Sequence, residues 1–126
     1  MNNRQIQLDR LKDALVKVLE LYGLDIIKID KCSGNYSFTI DYVYGEKNHM
    51  YDIIYDIMGY EIDISYYSDV GVDLYKISFY RKNDPFTSSF RYFPRKDENE
   101  YDFVLQIFKD LNVLTKDEMI IKDIIE

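Results

Sequence analysis

Two stretches of the chain alternate apolar and polar residues, and this period of two constrains the fold more than any other feature. In residues 36–44 and 60–66, Tyr, Phe or Ile stands at every second position, with mostly Ser, Thr, Asp or Glu between. Alternation places the apolar set on one face of a strand and the polar set on the other. A hairpin turn at 68–71 lets residues 72–80 return as a partner strand. The pattern therefore predicts antiparallel strands that bury one face.

The remaining strand signals are shorter. Residues 24–29 are rich in β-branched side chains and end at a turn over 31–35. Residues 83–89 have loop chemistry, and 90–93 can form a short strand that Pro94 ends. Residues 48–58 fit both a helix face and strand alternation, and their composition favours the strand.

Helical periodicity appears at both ends of the chain. In residues 5–22, Leu8, Leu11, Leu15 and Val18 form an apolar stripe, and Gly23 follows as the expected helix end. Near the C-terminus, Asp97 with Glu100 and Thr115 with Glu118 have the spacing of capping boxes. They predict two helices, the first ending near Asn112. The predicted fold is α+β: an N-terminal helix, an antiparallel sheet of about four to six strands, and two C-terminal helices packed on one sheet face. We expect residues 1–126 to form a single compact domain.

The composition of the chain argues against several classes of protein. The 126 residues include one Cys and one His, too few for an internal disulfide or a His-based metal site. No apolar run approaches the roughly 18 residues that a bilayer requires, and the N-terminus does not resemble a signal peptide. We therefore expect a cytoplasmic location, no membrane association, no metal and no cofactor.

No catalytic constellation is visible in the sequence. His49 lies in a polar run typical of a surface loop, and Cys32 lies at a turn with only Lys28 and Lys31 nearby to activate it. Phosphate-binding and dinucleotide-binding glycine motifs are absent. Two carboxylate pairs, Asp52 with Asp56 and Glu61 with Asp63, have spacings that suit acid–base work or a divalent ion, but an ordinary solvated surface is the favoured interpretation. We predict that the protein is not an enzyme and has no catalytic residues.

The net charge of −7 is unevenly distributed along the chain. Residues 1–34 sum to +1, residues 35–80 to −6, residues 81–96 to +4 and residues 97–126 to −6. Such segregation bears on partners and association rates, not on the fold.

The acidic middle block predicts a binding surface. Its carboxylates alternate with core positions on the predicted strands, so we expect them to share one exposed side with several tyrosines, which are favoured interface residues. The candidate partner-binding residues are Asp41, Asp52, Asp56, Glu61, Asp63, Asp73, Tyr55, Tyr66 and Tyr67.

The basic segment 81–96 offers a second possibility. Cations interleaved with aromatic rings suit single-stranded nucleic acid, although the acidic pI of about 4.7 opposes it. The residues concerned are Arg81, Lys82, Phe90, Arg91, Tyr92, Arg95 and Lys96. Direct binding of nucleic acid is the weaker prediction.

A small acidic α+β domain of this composition resembles the stoichiometric inhibitors made by phages and mobile elements, such as anti-CRISPR proteins, and toxin immunity proteins. The resemblance implies a protein partner with a basic surface, such as a nuclease or another nucleic-acid enzyme. The sequence leaves open a self-associating structural or adaptor protein, through the stripe at Leu8–Val18 or the apolar segment 119–125. Whether the chain is a monomer or a homodimer also stays open.

Overall fold

A computed structural model describes residues 3–41, 43, 45–48, 53–55, 61–69, 72–80, 87–94 and 99–125. Its elements in chain order are α1 (Asn3–Leu21), β1 (Ile26–Cys32), β2 (Asn35–Ile40), β3 (Glu46–Asn48), β4 (Ile53–Tyr55), β5 (Glu61–Asp69), β6 (Val72–Tyr80), β7 (Thr87–Tyr92), α2 (Glu100–Asp110) and α3 (Lys116–Ile125). The predicted α+β class is confirmed, with one helix before the sheet and two after it.

One antiparallel sheet of five strands, in the order β1-β2-β5-β6-β7, organises the chain. Its centre is the hairpin of β5 and β6, in which nine residue pairs extend from Glu61 opposite Tyr80 to Asp69 opposite Val72. The separate pair β3–β4 confirms the strand preference predicted within 48–58, although His49 to Asp52 and Asp56 to Met58 lie outside the described residues.

The helices bury the apolar face of this sheet. Leu11, Leu15 and Val18 of α1 are fully buried in one cluster with strand residues such as Phe38 and Ile62. Burial of a leucine of this kind contributes roughly 1.5–3 kcal/mol.

Aromatic rings attach α2 to the same face. The Phe108 ring meets Phe79 edge-on at 6.0 Å, and the Phe103 ring stacks on Tyr92 at 4.8 Å between centroids. Met119 of α3 packs against the same core from the C-terminal side. The two C-terminal helices therefore lie on one sheet face, as predicted.

The turn after α1 depends on Gly23. Its φ of 71° is unfavourable for a residue with a Cβ, and the chain closes a Schellman motif around it. The amide of Leu24 donates to the Leu19 carbonyl at 2.9 Å, and the amide of Gly23 donates to Glu20 at 3.0 Å. The predicted helix end is confirmed.

Several predicted boundaries were wrong. The first strand begins at Ile26 and continues to Cys32, so the turn comprises only Ser33 and Gly34, with φ of 78° at Gly34. The second strand ends at Ile40, before the predicted limit at residue 44. Residues 87–89, predicted as loop, belong to β7. Small polar residues suit this strand because it lies at the rim of the sheet; there the Ser89 hydroxyl lies 2.9 Å from the Ser78 hydroxyl.

Only the second predicted capping box is confirmed. The Ser/Thr-type box forms at α3, where Thr115 and Glu118 exchange hydrogen bonds of 3.1 and 3.2 Å. At α2 the N-cap is Asn99, not Asp97, because the Asn99 side chain accepts from the amides of Tyr101 and Asp102. Asn112, with φ of 51°, follows the C-cap of α2, close to where the helix end was predicted.

Two carboxylates of the fold hold α1 against its neighbours. Glu100, only 8% exposed, accepts from Gln7 at 3.1 Å and from the Arg10 guanidinium at 3.2 Å, which ties α2 to α1. Asp9 accepts from the hydroxyl of Tyr36 on β2 and from Gln5. The Tyr36 hydroxyl bond lowers the pKa of Asp9, while burial raises the pKa of Tyr36 to about 12.

Replacement of the buried acid at the start of α2 should cost far more than replacement of its exposed neighbour. We expect Glu100→Ala to lower the free energy of unfolding by about 1–3 kcal/mol, because the partners on α1 lose their acceptor. Asp102→Ala, in the same helical turn but exposed, should cost only a few tenths of a kcal/mol. Urea denaturation measures both, and equal losses would contradict the assigned link between helices.

Removal of the Tyr36 hydroxyl should reduce the acid sensitivity of the protein. Because the folded pKa of Asp9 is lowered, its stabilisation is complete above the ordinary value near 3.8 and disappears as pH falls through the folded pKa. Tyr36→Phe should lower the free energy of unfolding at pH 7 by about 1–2 kcal/mol and by less at pH 2. Denaturation at the two pH values checks this, and the same loss at both would count against the bond.

Candidate functional site

The sheet face opposite the helices carries polar side chains in ordered rows. Residues directly opposite each other in antiparallel strands share a face, so the register defines these rows across the sheet. We name the set the polar face, and its described side chains are Lys28, Thr39, Glu61 and Tyr80; Asp30, Ser37, Asp63, Ser78 and Ser89; and Cys32, Asn35, Ser65, Lys76 and Arg91. Two acids lie on the central strand β5, and hydroxyl groups are on the neighbouring strands β2 and β6.

Glu61 and Asp63 form an acidic pair on the central strand β5. They are two residues apart, so they point to the same side and their Cα atoms lie about 7 Å apart. Ser37 on β2 donates its hydroxyl to Glu61 at 3.0 Å. No Lys or Arg forms an ion pair with either carboxylate among the described residues.

Asp63 is the less well compensated member of the pair. Its Oδ1 atom is shielded from solvent and has no hydrogen-bond partner within the described structure. Burial raises the pKa of Asp63, the proximity of the Ser37 hydroxyl lowers it, and the neighbouring Glu61 charge raises it further. An ionised carboxylate that is partly buried and incompletely compensated opposes folding. Groups with pKa values shifted in this way are concentrated at functional sites.

A basic pair lies on the same face, on the two strands that follow β5 in the sheet. Lys76 on β6 is directly opposite Arg91 on β7, so two like charges are neighbours across the ladder. Directly opposed like charges destabilise a sheet. From β5 to β7 the polar face is therefore divided by sign, with acids on β5 and bases on β6 and β7, and this division suits a partner with a matching charge pattern.

The predicted acidic surface converges only in part. Glu61 and Asp63 meet as expected, and Asp41 is exposed just beyond the end of β2. Asp73 lies opposite Ser68 near the other end of the hairpin, about 16 Å along β6 from the position opposite Asp63. Its backbone position separates it from the acidic pair.

The predicted tyrosines do not gather on the polar face. Tyr66 is opposite Tyr75 on the helix-covered face, where its ring lies 5.5 Å from the Tyr75 ring and beneath the Arg4 guanidinium at 4.5 Å. The side chains of Tyr55 and Tyr67 lie outside the described residues, as do Asp52 and Asp56 entirely. Tyr80, which was not predicted, is the tyrosine that shares a row with Glu61. Only the strand register could have identified it.

Two aromatic rings of the basic segment 81–96 belong to the core and are not available for stacking on nucleic acid. Tyr92 is 1% exposed and stacks on Phe103, and Phe90 packs edge-on against Phe79 at 5.9 Å. Within the described part of the segment, Arg91 projects from the polar face. The predicted contacts Arg81, Lys82, Arg95 and Lys96 lie outside the described residues.

The described residues include one of the two side chains considered for nucleophilic chemistry. Cys32 is exposed and unpaired by disulfide, at the rim of a 460 Å³ cavity next to Lys31 and Arg4, and His49 lies outside the described residues. Among the residues that the structure describes, no group of three or more His, Cys, Asp or Glu side chains is arranged to hold a metal ion. The described helices are too short or too polar to cross a membrane.

Comparison with known proteins identifies no relative. No family profile, curated protein or solved structure matches the chain. Functional inference therefore depends on the chemistry of the polar face.

Neutralisation of Asp63 should stabilise the fold at neutral pH. Because the folded pKa of Asp63 is raised, its ionised form opposes folding above that pKa, and the penalty disappears as pH falls toward 3.8. We expect Asp63→Asn to unfold at higher urea concentration than the wild type at pH 7, with the difference closing by about pH 3. Asp30→Asn, which removes an acid of the same row that is paired with Lys28, is the matched control and should bring no such gain. A urea midpoint for Asp63→Asn below that of the wild type at pH 7 would contradict the prediction that the ionised Asp63 carboxylate opposes folding.

Proposed function

We propose that this protein is a stoichiometric binding protein whose acidic pair, Glu61 and Asp63, docks on a basic surface of a protein partner. The observation that carries the proposal is the shielded, unpartnered Oδ1 of Asp63 beside a second carboxylate on the polar face. Folding alone gains nothing from an incompletely compensated carboxylate, whereas a partner cation placed against the accessible parts of Asp63 and Glu61 would balance the charge of the pair.

The rest of the polar face supports a broad and wet interface. Serine and threonine hydroxyls surround the acidic pair and can bond a partner directly or through water. Tyr80, partly exposed in the row of Glu61, offers one aromatic anchor. The basic pair Lys76 and Arg91 favours a partner that has an acidic group at the edge of its basic surface, which would fix the orientation of binding.

The proposed mechanism is blockade. A basic surface that binds nucleic acid is matched by clustered carboxylates, so a nuclease or another nucleic-acid enzyme is the class of partner we propose. Complementary charge raises the association rate and makes it fall with salt, and the desolvated contacts set the dissociation rate. Occupation of the surface would exclude the nucleic-acid substrate at a ratio of one inhibitor to one enzyme.

The test compares two variants with the same change of charge. Glu61→Gln combined with Asp63→Asn removes the acidic pair, and Asp102→Asn combined with Asp110→Asn removes two exposed acids of α2. Proteins captured from a lysate of the source cells on each immobilised variant are identified by mass spectrometry, and the captured enzyme is then assayed with each variant. We expect the wild type and the α2 variant to bind and inhibit, and the loss of the acidic pair to weaken binding at least about tenfold.

Two outcomes would contradict the proposal. Equal weakening by both variants would show that overall charge, and not the acidic pair, controls binding. An affinity unchanged between about 50 and 200 mM salt would remove the electrostatic mechanism.

A further inference from the structure

The strand β1 leaves one edge of the sheet exposed. Among the strands that the structure describes it pairs with β2 alone, and six of its seven residues are exposed, including Ile27 at 66% and Ile29 at 41%. The outer strand of a sheet has backbone N–H and C=O groups that can pair with a further strand. An exposed strand of this kind is a template for strand addition.

The charges of β1 are complementary to a second copy of the same strand. Lys28 and Asp30 flank Ile29 and lie together on the polar face, with Nζ and Oδ2 3.1 Å apart. In an antiparallel pair of two copies with the two-fold axis at Ile29, Lys28 of each chain stands opposite Asp30 of the other. The exposed Ile29 side chains then meet on the helix-covered side of the sheet.

The charge pattern also selects this register over its neighbours. Opposite residues in an antiparallel pair share a face, so the two-fold axis must pass through a residue position and not between two. With the axis at Lys28, the lysines of the two chains would lie directly opposite each other. With the axis at Asp30, the two aspartates would lie directly opposite each other. Like charges directly opposite each other are destabilising, so the axis at Ile29 is favoured.

The other outer strand lacks such a pattern. Thr87–Tyr92 of β7 has Arg91 as its one charged residue, so a two-fold pairing of this strand places no acid opposite it. Complementarity to a second copy is therefore particular to β1.

We propose that two copies of this chain associate through antiparallel pairing of β1, with the two-fold axis at Ile29, to form a continuous ten-stranded sheet from two five-stranded ones. The helices of both copies lie on one side of this sheet and both polar faces on the other. The contact is short, so the dimer is reversible. The dimer contact is at the outer strand β1, whereas the acidic pair lies on the central strand β5. The dimer therefore does not rest on the proposed function.

The experiment reverses one charge at a time and then mixes the variants. Lys28→Asp places acids opposite acids in its own dimer, and Asp30→Lys places lysines opposite lysines. Each variant alone should dimerise at least about tenfold more weakly than the wild type in sedimentation equilibrium. An equimolar mixture should recover the wild-type affinity, because one chain then has acids at both positions and the other has lysines at both.

The mixture separates pairing between chains from an effect within one chain, since loss of the Lys28–Asp30 ion pair inside each chain cannot be repaired by mixing. The double variant K28D/D30K should also recover dimerisation, and Lys109→Asp on exposed α2 should leave it unchanged. Circular dichroism confirms that each variant is folded.

Three results would overturn the proposal: a wild-type monomer at about 1 mM, single variants that dimerise as the wild type does, or a mixture that associates no better than its components. Loss of partner binding by the acidic-pair variant is a separate readout, so the two proposals fail independently.

Discussion

The register of the β5–β6 hairpin is the constraint on which the rest of the structure depends. Nine consecutive pairs fix Ile62 opposite Phe79 and Ile64 opposite Ile77, and these four side chains pack in one core with the helices. A slip of one residue would turn every side chain of a strand to the other face. Glu61 and Asp63 would then enter the core, where unpaired charges are prohibitively costly. The same register thus determines both the hydrophobic core and the chemistry of the polar face.

The carboxylates of the chain differ in what compensates them. Asp9 and Glu100 accept hydrogen bonds from neighbouring elements, and each stabilises the position of α1. Asp63 has a shielded oxygen without a partner and a raised pKa. Charges that support a fold are normally satisfied within it, so Asp63, which is incompletely compensated, is the acid on which we base the proposed partner.

Sequence periodicity predicted the long helices and strands well, but it predicted the boundaries of several strands poorly. Gly23 marked the end of α1 because a left-handed residue is needed there, and Thr115 with Glu118 marked the start of α3 through a reciprocal hydrogen bond. The cap of α2 is Asn99 and not Asp97, because the Asn99 side chain accepts from the amides of Tyr101 and Asp102. Glu100 binds Arg10 of α1 instead of completing a capping box, a contact that no local pattern reveals. Of the candidate site, Glu61 and Asp63 were found from alternation alone, whereas Tyr80, Lys76 and Arg91 required knowledge of which strands are neighbours.

The sequence by itself determined the class of fold and the two-sided character of its sheet, because alternation with period two and stripes with period 3.6 are local properties of the chain. Tertiary structure decided which charges meet. Strand order placed Lys76 beside Arg91, separated Asp73 from Asp63, and left β1 with its Lys28-Ile29-Asp30 segment at an open edge. These relations depend on pairing between residues distant in the chain, and pairing is selected by the burial of the whole core and not by any one segment.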